Sequence, residues 1–330
     1  MRRLPGILAS IVAGLLLEPA SNASAPVFRG TTELVKLPVT VRDAQGRLVL
    51  DLGREDFDVY EDGRLQKLEI FAKAIGEGQE EMLSLDLGLL LDTSESMIDE
   101  LKLSQEAALR FLDAIPRARE LFTIFFDQDI RISRYDSEHQ QGLVERILES
   151  KGSGLTALYD AIAVYLSKIE DSPGRKVLVL FTDGEDTTSQ TTLKEILDLV
   201  RSSNAVIYVI DFSKGLSPGN LRTATARAFL HQIGELTGGG TFAPSGSKDL
   251  PGIYQKILEE LSAQYVLGFA SDRPGHGGRF RKLRVEVRRA GLRVRHRQGY
   301  LPVVPQELEP KGKPSLLATP ELPEHAGSHR

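Results

Sequence analysis

The chain has 330 residues, 41% hydrophobic and 26% charged, a globular composition with room for one large domain and a smaller one. Its 41 basic and 46 acidic side chains leave a formal net charge of -5, so no global positive field argues for nucleic acid. Cysteine is absent, which removes disulfide support, and no run reaches the roughly 18 apolar residues that span a bilayer.

The chain begins like an export signal. Arg2 and Arg3 are basic, Ile7 to Leu17 is a short apolar core, and Ser21-Asn22-Ala23 offers small residues for cleavage. The expectation is a signal peptide over 1–23 and an exported protein, periplasmic or extracellular; an uncleaved membrane anchor is the alternative reading. The sequon Asn22-Ala23-Ser24 falls in or beside that segment and carries no weight. A first β segment is expected over 27–75. Val35, Leu37, Val39 and Val41 alternate with Lys36, Pro38, Thr40 and Arg42, so one face is buried and the other solvated. Pro38 cannot donate to a ladder and argues for an edge strand. Asp43-Ala44-Gln45-Gly46 and Asp62-Gly63 are turn signals. A Gly/Glu-rich stretch over 76–81 separates this unit from the next.

Over 84–263 strands alternate with helices, the rhythm of a mostly parallel α/β sheet. Six strands are predicted, over 85–91, 121–126, 130–133, 177–182, 206–211 and 240–243. Leu103, Ala107, Phe111 and Ile115, then Leu158, Ile162, Tyr165 and Ile169, carry helical periodicity between them. Only Gln128 and Asp129 separate the second and third strands, so those two must be antiparallel neighbours. Period two returns over 264–303, with Tyr265, Leu267 and Phe269, then Leu283, Val285 and Val287, then Leu292 and Val294. Neither β segment holds a core of its own, and short hairpins are marginal alone. The expected architecture is therefore α/β, an open, doubly wound, mostly parallel six-stranded sheet inserted in a small antiparallel β-sandwich formed by the flanking segments. The Pro-, Glu- and Ser-rich stretch 304–330 reads as a disordered tail.

The chemistry concentrates at the carboxyl ends of the predicted strands. Leu89-Leu90-Leu91 runs into Asp92-Thr93-Ser94-Glu95-Ser96, and the fourth strand ends in Thr182-Asp183-Gly184. In open α/β sheets the site lies beyond the strand ends where strand order reverses, so neighbouring first and fourth strands bring Asp92 and Asp183 to one crevice. Gly152-Ser153-Gly154-Leu155-Thr156 adds a hydroxyl just before a helix expected over 157–169. The set Asp92, Ser94, Ser96, Thr156 and Asp183 offers oxygen alone, which suits a hard divalent cation. Each member has a plainer alternative: Ser96 and Thr156 as helix caps, Asp183 as a loop start.

With Asp92-x-Ser94-x-Ser96, Thr156 and Asp183 in place, the chain resembles a von Willebrand factor type A domain, and those five residues match that family's metal-ion-dependent adhesion site. The likeness covers roughly 85–262. The flanks, Leu37-Pro38-Val39-Thr40-Val41 and Glu55 to Gly63 ahead, Tyr265 to Phe269 and Gln298-Gly299-Tyr300 behind, resemble the exported bacterial VWFA-related proteins of Acidobacterial type. The resemblance implies that Ser94 and Ser96 ligate the cation, that Thr156 joins them when the site is engaged, and that Asp92 and Asp183 act through water. It also implies Mg2+ (or Mn2+ or Ca2+) as the ion and a partner's Asp or Glu carboxylate to complete its coordination.

Function is thus read as an exported, metal-dependent binding or adhesion module for a protein or peptide partner, not an enzyme. The alternatives are a structural envelope component stabilised by the ion, and a metal-assisted hydrolase with Asp92 as nucleophile. The second lacks an acid two residues on, where Ser94 stands. Asp160, Glu185 and Asp186 either tune the site or are solvated charges. Gly238-Gly239-Gly240 lacks the lysine of a phosphate loop and reads as a helix stop. The basic stretch Arg279 to Arg297 reads as the solvated face of a hairpin, with an anionic surface as alternative. The six histidines are scattered, with no zinc-like pair. Finally, a helix expected over 248–262 runs almost directly into the strand at Tyr265, so a shift of that helix is expected to reorient the sandwich.

Overall fold

Strands β1 (Leu34–Arg42), β2 (Phe57–Glu61), β3 (Arg64–Gln66) and β4 (Leu68–Lys73) lead into β5 (Leu85–Asp92), α1 (Leu101–Ala114), β6 (Glu120–Phe126), β7 (Ile130–Tyr135) and α2 (Gln141–Glu149). There follow α3 (Leu158–Lys168), β8 (Arg175–Thr182), α4 (Leu193–Ser202), β9 (Val206–Asp211), α5 (Leu221–Thr237), β10 (Gly240–Phe242) and α6 (Leu250–Ala263). The chain closes with β11 (Tyr265–Ala270), β12 (Arg281–Val287), β13 (Arg293–His296) and β14 (Gly299–Tyr300). This computed structural model describes residues 34–73, 85–115, 118–135, 141–170, 174–213, 221–271, 273 and 279–302. The expected signal segment 1–23, the stretch 27–33, the separator 76–81 and the tail 304–330 lie outside the described residues, as do His139, His276, His325 and His329.

The central sheet has the order β10-β9-β8-β5-β6-β7. All neighbours are parallel except β6 and β7, which pair antiparallel as the two-residue connection requires. The strand order reverses between β5 and β8: β6 lies on one side of β5, and the chain returns to lay β8 on the other. All eight residues of β5 are buried, as expected for a strand covered on both faces. Leu85, Leu87, Leu89 and Leu91 pack with α1, α2 and α6 on one face, and Leu90 packs with α3, α4 and α5 on the other. Each such leucine contributes about 2 kcal/mol by leaving water.

Both flanks enter both sheets of the sandwich. One sheet has the order β13-β1-β11-β4, the other β14-β12-β2-β3, so each contains N-terminal and C-terminal strands. Their shared core includes Leu37, Val39, Val59, Leu267, Phe269 and Val285. The inward-facing alternation holds here, but the other face is not solvated throughout, since Thr40 of β1 and Val266 of β11 are buried too; Asp62-Gly63 forms the turn between β2 and β3 with φ of 46° and 82°.

Two expectations are corrected. Pro38 does not mark an edge strand, because β1 lies between β11 and β13. The pairing with β13 begins only at Val39, so Pro38, opposite Val266 of β11, still has one open side. The basic stretch 279–297 is not one face of a hairpin either, because β12 and β13 belong to different sheets. Its arginines are largely paired: Arg288 with Asp58 at 2.9 Å, Arg284 with Glu286, and Arg281 with the fully buried Glu61 at 3.1 Å. Glu61 also accepts from Ser271 Oγ at 3.0 Å and from the Tyr300 hydroxyl, which ties β14 and β11 to β2.

The sandwich meets the amino ends of β8 and β9. Val266 on the outer face of β11 lines a space of about 30 Å³ with Val177, Val206 and Gln264. Gln298 N–H donates to the carbonyl of Leu236 at 3.1 Å and Leu301 N–H to that of Arg201 at 3.3 Å, so the last strand segment satisfies the carboxyl ends of α5 and α4. Glu260 of α6 is buried and accepts from Arg42 of β1 at 2.8 Å and from Arg295 of β13. Removing that carboxylate leaves two guanidinium groups facing each other without a counter-charge. Both are partly solvated, so Glu260→Gln is expected to lower unfolding stability by about 2 kcal/mol, read as a lower urea midpoint at unchanged slope.

Candidate metal centre

Asp92 is the last residue of β5 and has no solvent exposure. Its Oδ1 accepts from the Ser94 backbone N–H at 3.0 Å and from Ser94 Oγ at 2.6 Å, while Oδ2 accepts from Thr182 Oγ1 at 2.6 Å. Ser94 Oγ and Ser96 Oγ lie 3.1 Å apart. Ser94 is buried and Ser96 is exposed, so the hydroxyl pair runs from the floor of the site to its mouth. Ser96 sits inside a 3-10 turn, Glu95–Met97, and the cap of α1 is Glu100. The capping alternative for Ser96 therefore falls. It falls for Thr156 too, because the cap position of α3 is Ala157.

Thr156 is buried and fixed by its backbone: its N–H donates to Thr187 Oγ1 at 2.8 Å, and its carbonyl accepts from the N–H groups of Thr187 and Thr188 at 2.9 and 3.1 Å. The loop before it is stitched to the β5 loop by Ser153 N–H to the Thr93 carbonyl at 2.9 Å and Glu95 N–H to the Gly154 carbonyl at 3.0 Å. Thr156 thus stands between the loops after β5 and β8. Gly154 has φ +75° and Gly184 φ +85°, and a Cβ on Gly184 would lie 2.8 Å from the Leu230 side chain, so both loops depend on glycine to turn here.

Asp183 follows β8 and is 1% exposed. Oδ1 accepts from the Glu185 N–H at 3.0 Å, the loop-start role its alternative reading assigned. Oδ2 is buried and has no hydrogen-bond partner. A buried carboxylate oxygen left unsatisfied is costly, and natural proteins seldom tolerate one without a ligand. Burial, with the charge of Asp183 beside it, pushes the Asp92 carboxyl up to about 7. Burial raises Asp183 as well, against the Glu185 N–H bond and the nearby Ser96 hydroxyl, and Asp211 at the end of β9 adds to the rise. An orphaned oxygen and two mutually destabilised carboxylates, lined by hydroxyls, are the donor set that a divalent cation relieves. The residues present fit such an ion.

The structure brings Asp92, Ser94, Ser96 and Asp183 into one cluster and seats Thr156 between its two loops. Sequence reading missed Thr182, which holds Asp92, and Asp211, which loads Asp183. A strand-terminal Thr-Asp pair was the available signal for the first; the second is isolated in sequence. Asp186 and Asp160 are partly solvated, and their hydrogen bonds serve the loop rather than the centre. Asp186 accepts from the Tyr159 N–H at 3.1 Å and Ser189 Oγ at 2.6 Å, and Asp160 from the N–H groups of Gln190 and Thr191, both at 2.8 Å. They clamp the loop after β8 to the first turn of α3. Among the described residues no group of three or more His, Cys, Asp or Glu is placed to hold a metal, so the hydroxyls are essential to the donor count. Around the mouth, Ile98 and Leu155 are each 53% exposed, which gives the polar centre an apolar rim.

The sign of the pH dependence follows from the raised Asp92. The folded carboxyl titrates near 7 against 3.8 for the ordinary group, so without a cation the fold loses stability from this group as pH rises across that window. A cation competes with the proton on Asp92. Its affinity is expected to rise by up to about tenfold per pH unit between about 5.5 and 7 and then level off, with a proton released on binding. Calorimetry in buffers of different ionisation enthalpy measures that proton.

A profile of the von Willebrand factor type A domain matches residues 86–256. No curated protein matches the chain. Among solved structures, a von Willebrand factor type A protein from Catenulispora acidiphila is 10% identical, with 83% of this chain and 75% of that one covered and a TM-score of 0.45. The conserved hypothetical protein BatB from Bacteroides thetaiotaomicron is 14% identical over 55% of this chain and 100% of its own, at 0.43. Proximal thread matrix protein 1 from the mussel byssus, solved with a zinc-occupied MIDAS motif, is 16% identical over 62% and 50%, also at 0.43. The profile spans the α/β sheet with its helices and takes in more than half of the sequence. The chain belongs to the von Willebrand factor type A domain family.

Proposed function

We propose that Asp92, Ser94, Ser96, Thr156 and Asp183 hold a divalent cation of the magnesium or manganese kind, with calcium as the alternative, and that the protein is an exported binding module. The unpartnered, buried Oδ2 of Asp183 beside Asp92 carries this reading. The bound ion supplies a positive centre with exchangeable coordination positions, which an incoming carboxylate fills. Ser94 and Ser96 offer neutral oxygen from floor to mouth, and Thr182 holds Asp92 in place. Two carboxylates among neutral donors leave the ion incompletely shielded, so an anionic partner group is attracted.

Surface form supports a protein or peptide rather than a small metabolite as partner. The centre opens at a loop surface rimmed by Ile98 and Leu155, whereas a concavity of about 750 Å³ lies among Leu34, Leu166, Arg297 and Tyr300, where the sandwich meets α3 and α4. An acidic side chain on a macromolecule reaches the ion while its neighbours cover the apolar rim. The hydroxyls around Asp92 also favour capture over catalysis, since among the described residues the side chains bonded to Asp92 are those of Ser94 and Thr182. Among the described residues no helix is long and apolar enough to cross a membrane. Export rests on the basic and apolar pattern of residues 1–23, and the finer kinship with exported bacterial VWFA-related proteins rests on the flanking strand motifs.

Titration of the chain with Mg2+, Mn2+, Ca2+ and Zn2+, followed by a short peptide bearing one Asp, tests the reading. Asp92→Ala with Ser96→Ala is expected to abolish cation binding, and peptide binding is expected only in the ion's presence. Ion affinity that survives the double substitution would overturn the site. A cation that binds and stabilises while no acidic peptide follows would favour the purely structural role.

A further inference from the structure

Beside the metal centre lies a groove of about 390 Å³ whose wall includes Thr93, Asp127, Arg131, Arg146, Lys151 and Ser153. It begins where the centre ends, because Thr93 lies between Asp92 and Ser94 and Ser153 belongs to the loop that delivers Thr156. Three cations face it against two carboxylates, Asp127 and Glu149. Asp127 is already committed. Both its oxygens take hydrogen bonds from Arg131, at 3.1 and 2.7 Å, and Oδ1 also accepts the Asp129 N–H at 2.8 Å. Arg131 in turn donates to Thr93 Oγ1 at 3.0 Å, so this pair braces the wall next to the centre.

Arg146 and Lys151 are different. Arg146 donates one N–H to Ser133 Oγ at 2.6 Å and lies over the Phe125 ring, 5.1 Å from its centroid. That stacking fixes the guanidinium plane and leaves further N–H groups for a ligand. Lys151 is exposed on the loop that leads to Ser153. Among the described residues no carboxylate pairs with either cation.

We infer that the partner is an acidic segment carrying two carboxylates, one for the bound cation and a second, nearby in its sequence, for Arg146 and Lys151. This rests on the proposed function of the metal centre and adds a specificity that the centre itself does not supply. A lone ion accepts any exposed acid, whereas the groove discriminates by the spacing of a second one. The pairing is electrostatic and partly solvated, so it weakens with salt.

Fluorescence anisotropy on the full chain in saturating Mg2+ tests it with labelled synthetic peptides. Each contains one Asp and, at successive positions on either side, a Glu or the matched Gln. Wild type is expected to prefer one Glu spacing over its Gln twin by about three- to tenfold, and to lose that preference at high salt. Lys151→Gln and Arg146→Gln should each remove about threefold or more of it, with Mg2+ affinity and single-acid peptide binding changed far less. Lys151 is exposed, so its variant keeps the test open should Arg146→Gln disturb the Phe125 packing. No preference at any spacing, or a preference that survives both substitutions, overturns the inference while leaving the metal centre standing. If Mg2+ binds but neither peptide of any pair does, the proposed function falls and this inference with it.

Discussion

Two carboxylates held out of water at the ends of adjacent parallel strands set the terms for the rest of the molecule. β5 and β8 pair residue for residue from Leu85 opposite Arg175 to Leu91 opposite Phe181, so Asp92 falls opposite Thr182 and Asp183 follows one residue beyond it. That one-residue offset still leaves the Asp183 charge close enough to raise Asp92, and burial denies both groups the screening of water. The surrounding loops are arranged around this strain. Thr182 and Ser94 hold Asp92 without exhausting its oxygens, while Oδ2 of Asp183 stays open. A site saturated by its own chain would have no use for an ion. One left wholly unsatisfied would compromise the fold. The observed division leaves one oxygen and one shared charge for a cation to resolve.

The same sheet needs cover at its other end, and the sandwich provides it. Neither flank is a domain alone, because each contributes strands to both of the small sheets. Closing the sandwich core brings together segments that flank the whole α/β sheet, a long-range closure whose entropic cost is offset by the buried apolar set and by Glu61 and Glu260. Those two glutamates work in similar ways. Each is buried, each takes two arginines, and each joins elements more than two hundred residues apart in sequence. In a chain without cysteine, such charge clamps hold together what disulfides hold elsewhere.

The sequence disclosed those parts of the structure that obey a period or a strand-end rule. The six strands of the central sheet, the antiparallel β6–β7 pair and the alternating strands of the sandwich follow from apolar spacing and connection length. Four of the five site residues were legible because each lies at or just beyond the carboxyl end of β5 or β8, and the fifth because two glycines precede it. Partnership across sheets was not legible. Nothing in the spacing of β12 and β13 tells that the chain changes sheet between them, since a hairpin and a crossover carry the same alternation. Pro38 misled for a related reason: a strand can be interior over half its length and an edge over the rest. Asp211 and Thr182 were missed because their roles come from neighbouring strands, not from sequence neighbours.

The two ends of the central sheet are linked through α1 and α6. The loop carrying Ser94 and Ser96 runs into α1, and α1 packs on α6 through Phe111 and Tyr254, whose ring centroids are 5.6 Å apart. Only Gln264 separates the end of α6 from β11. Adjacency of this kind is not coupling, which requires an element with two arrangements that both sites bias. The Glu260 clamp restricts what those arrangements are. Because its carboxylate bonds Arg42 of β1 and Arg295 of β13, a large slide of α6 against the first sandwich sheet has to break both ion pairs. The expected reorientation of the sandwich by a shift of α6 thus rests on two contacts, the short run through Gln264 and the Glu260 clamp.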